Sequence, residues 1–150
     1  MARIYVVDDS ADVRHVVIYA LMDEGHDILM IRDGEAAIEA LISEPPDLVV
    51  LDLMLPGIDG FEILDQMRSW GIHDNTRTIV LTARASAEDR RRVMELGADD
   101  FVSKPFDPEE LASRVKGLLR LSPEELRLRR AGADQARAIS MERNDRAPEV

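Results

Sequence analysis

Five short apolar runs, each followed by a helical pattern, fill the first 121 residues and leave little choice of fold. The strand candidates are Ile4-Tyr5-Val6-Val7, Asp27-Ile28-Leu29-Met30-Ile31, Leu48-Val49-Val50-Leu51, Thr78-Ile79-Val80-Leu81 and Phe101-Val102. The third has no polar alternation, the pattern of a strand buried on both faces. Ser10 is expected to cap a helix running to about Glu24, with Gly25 as its stop. Asp33 caps a second helix to about Ser43, ended by Pro45-Pro46. A loop with Pro56, Gly57 and Gly60 leads into a helix over Phe61 to Trp70. Ser86 caps a helix from Ala87 to Leu96, closed by Gly97, and Asp107-Pro108 opens one that reaches about Leu121. Such alternation implies parallel strands, right-handed crossovers and helices on both faces. The expected fold is α/β, a doubly wound five-stranded parallel sheet in the flavodoxin-like order 2-1-3-4-5. That order sets strands 1 and 3 side by side, and ligands bind at the carboxyl ends of the strands where the order switches.

The polar residues at those carboxyl ends carry the functional signal. Asp8 and Asp9 end strand 1, Asp52 ends strand 3, Thr82 ends strand 4, and Lys104-Pro105 follows strand 5. One aspartate after a strand is ordinarily a turn or a helix cap. Three on one rim repel one another and need a cation. All-oxygen ligands on an open rim suit a hard divalent ion, Mg²⁺ with several waters retained. Lys104 is one of only two lysines against 17 arginines, and its compact ammonium suits a phosphate or a carboxylate. Mg²⁺, an ammonium and a hydroxyl around a carboxylate suggest phosphoryl transfer. A central aspartate can serve as nucleophile and hold an acyl phosphate, and Asp52 is the best placed.

Charge and composition narrow the classes. The net charge is −11, and all of it lies in residues 1–121, which hold 24 acids and 13 bases. This argues against direct binding to a nucleic-acid backbone. There are no cysteines, which removes disulfides and thiolate metal sites and suits a reducing compartment. His15, His26 and His73 have no ligand spacing, so zinc is not expected. The longest apolar run, Val16 to Met22, falls well short of the roughly 20 residues a membrane span needs. No signal peptide precedes the first strand, and a cytoplasmic protein is expected.

The segments Val6-Val7-Asp8-Asp9-Ser10, Asp52-Leu53-Met54-Leu55-Pro56-Gly57-Ile58-Asp59-Gly60, Thr82-Ala83-Arg84 and Phe101-Val102-Ser103-Lys104-Pro105-Phe106 resemble the receiver domain of bacterial two-component response regulators. Asp9, Asp52, Thr82 and Lys104 follow one another at spacings of 43, 30 and 22 residues. The resemblance implies that Asp52 accepts a phosphoryl group from a phosphohistidine on a sensor histidine kinase or phosphotransfer protein. It implies that Asp9, Asp52 and the Met54 carbonyl ligate Mg²⁺, with Asp8 acting mainly through water. Lys104 and Thr82 would contact the phosphoryl oxygens, and Thr82 and Phe101 would form a switch pair. The responding surface would be helix 4, strand 5 and helix 5, where a partner protein or a second copy docks. Met54, two residues after the acceptor, and Arg84, two after Thr82, would modulate the phosphoryl lifetime, with Arg84 lying over the site.

Residues 1–121 are read as the receiver domain and 122–150 as a charged C-terminal extension without an output domain. Ser122-Pro123-Glu124-Glu125 starts a helix, in which Glu125 and Arg129 can pair, expected to weaken at Gly132 and reach about Met141, with Asn144 to Val150 frayed. Leu126, Leu128, Ile139 and Met141 make no continuous apolar stripe. The expectation is a stand-alone, phosphorylation-dependent module rather than an enzyme, or a phosphorelay intermediate without switching output. The alternative is an aspartyl-phosphate phosphohydrolase. Such enzymes often carry a second aspartate two residues after the nucleophile, where this chain has Met54. A third reading, a nucleotide-binding doubly wound domain, lacks the glycine-rich first turn, because Asp8-Asp9-Ser10 occupies that place.

Overall fold

The computed structural model describes residues 1–145, with side chains described to residue 135. The chain divides into two compact units, Met1–Leu119 and the segment from Arg120 onward. The first unit is a five-stranded sheet of β1 (Arg3–Val7), β2 (Asp27–Ile31), β3 (Leu48–Leu51), β4 (Arg77–Thr82) and β5 (Asp100–Ser103). Every pairing is parallel and the order is β2-β1-β3-β4-β5, as the alternation predicts. All four residues of β3 are buried, which explains its unbroken apolar run. The helices are α1 (Ala11–Leu21), α2 (Gly34–Ser43), α3 (Gly60–Ser69), α4 (Ala87–Glu95) and α5 (Pro108–Leu119). α1 lies beside α5, and α2 beside α3.

Side-chain caps fix where four helices begin, and so where the loops at the sheet edge end. Ser10, Asp33, Asp59 and Ser86 accept from the N–H groups of Val13, Ala36, Glu62 and Asp89 at 2.8–3.3 Å. Each such cap stabilises its helix by ~1 kcal/mol. Three of these caps were expected; Asp59 moves the start of α3 back to Gly60. That shift matters for packing. A Cβ on Gly60 would lie 2.5 Å from the Asp52 carbonyl oxygen, so only glycine lets α3 begin directly against the backbone of the residue after β3. Gly57, at φ +75°, turns the intervening loop in a conformation that other residues seldom adopt.

Other boundaries shift for physical reasons. The last turn expected in α1 is a 3₁₀ turn, Met22–Glu24, closed by Gly25 in the left-handed region. β4 starts one residue before the expected Thr78, at Arg77, and ends at Thr82 as expected, where the ladder with β5 closes on the Thr82–Ser103 pair. α5 ends at Leu119, two residues before the expected stop.

The second unit contains one continuous helix, α6 (Pro123–Asp145). The expected weakening at Gly132 and end near Met141 are corrected by this. Ser122 and Glu125 form a reciprocal capping box, each side chain accepting from the other's backbone N–H at 3.1 Å, which anchors the helix start. Glu125, expected to pair with Arg129, is used there. Leu126 is buried and Leu128 exposed. The side chains of Ile139 and Met141, and the 146–150 part of the expected frayed end, lie outside the described residues. Among the described residues no helix is long and apolar enough to cross a membrane.

Candidate functional site

The register of the sheet brings the acidic residues together. Val7 of β1 stands opposite Leu51 of β3, so Asp8 and Asp52 are the next residues of two neighbouring strands. The Asp52 N–H donates to the Val7 carbonyl at 2.9 Å, which extends the ladder by one step and holds both carboxylates at the rim. Asp8 and Asp52 are buried while Asp9 is exposed, and one carboxylate oxygen from each lies within 4.8 Å of the others. Three oxygen donors this close, one open to solvent, fit a hard divalent cation that keeps part of its water shell.

Lys104 stands where a cation is needed. Its Nζ donates to Asp8 Oδ2 at 2.7 Å and to Asp52 Oδ2 at 2.9 Å. Its backbone N–H donates to the Thr82 carbonyl at 2.9 Å, continuing the β4–β5 ladder. The Lys104–Pro105 bond is cis. Burial alone would lower the ammonium's pKa, but its hydrogen bonds to Asp8 and Asp52 and their charges outweigh that and raise it. Burial raises the Asp8 carboxyl, with the Asp52 charge adding to it, against the hydrogen bonds from Lys104 and the Ser10 N–H. Lys104 therefore remains an ammonium and partly neutralises the two carboxylates it bridges.

The remaining residues singled out from the sequence lie around this group. The Met54 N–H donates to Asp52 Oδ1 at 3.1 Å, and its side chain is exposed. Thr82 is fully buried, and its Oγ1 accepts from the Arg84 N–H at 3.2 Å. Phe101 packs in the hydrophobic core with the Arg90 guanidinium over its ring at 4.6 Å. The Arg84 side chain is engaged by α4 and α3. Its Nε donates to Asp89 Oδ1 at 3.0 Å, and its guanidinium lies 5.1 Å from the ring centre of Phe61.

Three contributors escaped the sequence reading. Arg14 donates to the Asp8 carbonyl at 2.6 Å and ties the start of α1 to the rim. Asp89 holds Arg84, and Arg92 also covers Phe61, at 4.1 Å. The partners stand six, five and 31 residues apart, none of them the i,i+4 spacing that a helix face would show, so the sequence carried no signal for these contacts.

Comparison with known proteins agrees with this geometry. A family model described as the response regulator receiver domain matches residues 4–116. The response regulator MprA of Mycolicibacterium vanbaalenii is 43% identical over 118 residues, covering 79% of this chain and 50% of that protein. The BeF₃-activated DrrB receiver domain superposes with a TM-score of 0.73 at 34% identity, covering 81% of this chain and 99% of that one. The BeF₃-activated receiver domain of Klebsiella pneumoniae RstA gives 0.72 at 30% identity, covering 79% and 99%. The chain spans about half the length of the curated relatives it matches.

Proposed function

This chain belongs to the response regulator receiver family, and from that premise we propose that it is a switch driven by phosphorylation of Asp52. The observation that carries the reading is the Asp52 carboxylate, paired with Lys104 at 2.9 Å beside Asp8 and Asp9 on the sheet rim. One Asp52 carboxylate oxygen attacks the phosphorus of a phosphohistidine. The new O–P bond forms as the P–N bond breaks, and the bonding pair returns to the imidazole nitrogen. Lys104 shifts from the two carboxylates to the transferred oxygens, where a point charge is then needed. Asp9, Asp52 and the Met54 carbonyl would hold Mg²⁺, with Asp8 acting through water. When bound, the ion supplies charge neutralisation on the transferring oxygens.

The switch follows from new acceptors at the rim. The Thr82 hydroxyl, now bonded to the Arg84 N–H at 3.2 Å, turns to a phosphoryl oxygen. Phe101 then moves toward the space Thr82 vacates. A packed core has discrete arrangements, so the modification biases one of them. The responding surface is α4, β5 and α5, open to a downstream protein or to a second copy of this chain. The phosphodonor is a sensor histidine kinase or phosphotransfer protein. The net charge of −11 disfavours direct contact with nucleic acid.

Incubation with Mg²⁺ and a small phosphodonor tests this reading. Slow labelling to one phosphoryl group per chain is expected. Rapid multiple-turnover phosphate release would support a phosphohydrolase instead, a reaction for which Met54 offers no acid or base two residues after Asp52.

A further inference from the structure

We infer that Arg84 is a positioning residue that ties the Thr82 hydroxyl to α4 through Asp89, so that a change at the rim moves that helix. The inference rests on Asp52 being the phosphoacceptor and Thr82 the hydroxyl that turns to it. Arg84 is attached to both ends of the path. Its N–H donates to Thr82 Oγ1 at 3.2 Å. Its Nε donates to Asp89 Oδ1, in the first turn of α4, at 3.0 Å. Asp89 is itself held, because its N–H donates to Ser86 Oγ at 3.0 Å in the cap of α4. The Ser86 hydroxyl first, and the Arg84 guanidinium with it, hold the Asp89 carboxyl below its ordinary range against its burial, so it is ionised at neutral pH.

A second set of contacts gives the path a fulcrum. Phe61 in α3 is almost fully buried, and the guanidinium groups of Arg84 and Arg92 lie 5.1 and 4.1 Å from its ring centre. Arg92 belongs to α4, so α4 and the loop before it bear on the same ring. When Thr82 gives up the Arg84 N–H, the loop loses one fixed end while its side chain still grips Asp89. The start of α4 then follows the loop around Phe61 instead of staying behind. Arginine serves here and lysine serves less well, because a planar fork can bond a carboxylate and stack on a ring together.

Amide hydrogen exchange across Ala87–Glu95, with the full chain, tests the inference. It is measured before and after addition of beryllofluoride with Mg²⁺, and Asp52 labelling by acetyl phosphate is followed in parallel. Asp89→Asn and Arg84→Gln should both shrink the exchange response of α4 by at least about twofold, the lower end of the roughly 2- to 30-fold expected for a residue that carries coupling. Arg84→Lys should recover part of it. Asp89→Asn should still be labelled at Asp52. A full-sized α4 response in both Asp89→Asn and Arg84→Gln would overturn the inference and leave the phosphoacceptor reading standing. Absence of label on Asp52 in the unsubstituted chain would overturn both.

Discussion

At the rim, one ammonium holds together two carboxylates that would otherwise repel. The folded-state pKa of Lys104 is raised, so its stabilising contribution is complete below about pH 10.4 and is lost as the pH climbs through the raised value. That of Asp8 is also raised, which for an acid favours the fold below about pH 3.9 and disfavours it once Asp8 ionises. Lys104→Met removes the ammonium and pushes Asp8 higher still. The variant should lose about 3 kcal/mol, as for a broken buried ion pair, with a larger loss at pH 8 than at pH 5. Thermal unfolding at the two pH values checks the sign, and an equal loss at both would argue against it. Asp9→Ala should behave in the opposite way. It relieves repulsion among carboxylates within 4.8 Å of one another, so the metal-free fold should hold or gain stability while Mg²⁺ affinity falls. Calorimetric titration with Mg²⁺ reports the affinity, and an unchanged value would remove Asp9 from the ligand set.

Among the elements, β3 and α3 show how backbone packing serves chemistry. α3 begins against the Asp52 carbonyl because Gly60 has no side chain. Gly60→Ala forces the two apart and should cost about 1–3 kcal/mol, with slower labelling of Asp52 than the stability loss alone explains. Comparing labelling rate with unfolding midpoint across Gly60→Ala and Lys104→Met separates the two effects. In the switching elements, Thr82→Ala should still accept phosphate but lose the exchange response over 86–121. Much of this layout could be read from the chain alone. Unbroken apolar runs at β3 and β4 named the strands, and a cap or a glycine marked most helix ends. Spacing then placed Asp8, Asp9, Asp52 and Lys104 on one rim. What spacing could not give is which partner a long side chain selects. Lys104 bridges Asp8 as well as Asp52, and Arg84 turns to Asp89 and Phe61, because both choices depend on contacts between separate elements. The continuous α6 was missed for another reason. One glycine at position 132 lowers helix propensity by only about 1 kcal/mol, which 22 other helical residues and a capping box outweigh.

For the molecule as a whole, five strand–helix repeats close the sheet before Arg120, and the charge of −11 lies within residues 1–121. The proposed boundary at Leu121 predicts that a chain ending there folds and accepts phosphate at Asp52. Circular dichroism and labelling check this, and a chain that does neither would place part of 122–150 in the receiver itself. The central claim concerns one atom set, the Asp52 carboxylate, and it is tested most directly by locating the phosphoryl group. The full chain is labelled with acetyl phosphate and Mg²⁺, the acyl phosphate is reduced with borohydride, and the peptides are mapped by mass. Conversion of Asp52 alone to homoserine, abolished in Asp52→Asn and on removal of Mg²⁺, is the predicted result. A modified residue elsewhere, or undiminished labelling in Asp52→Asn, would contradict it.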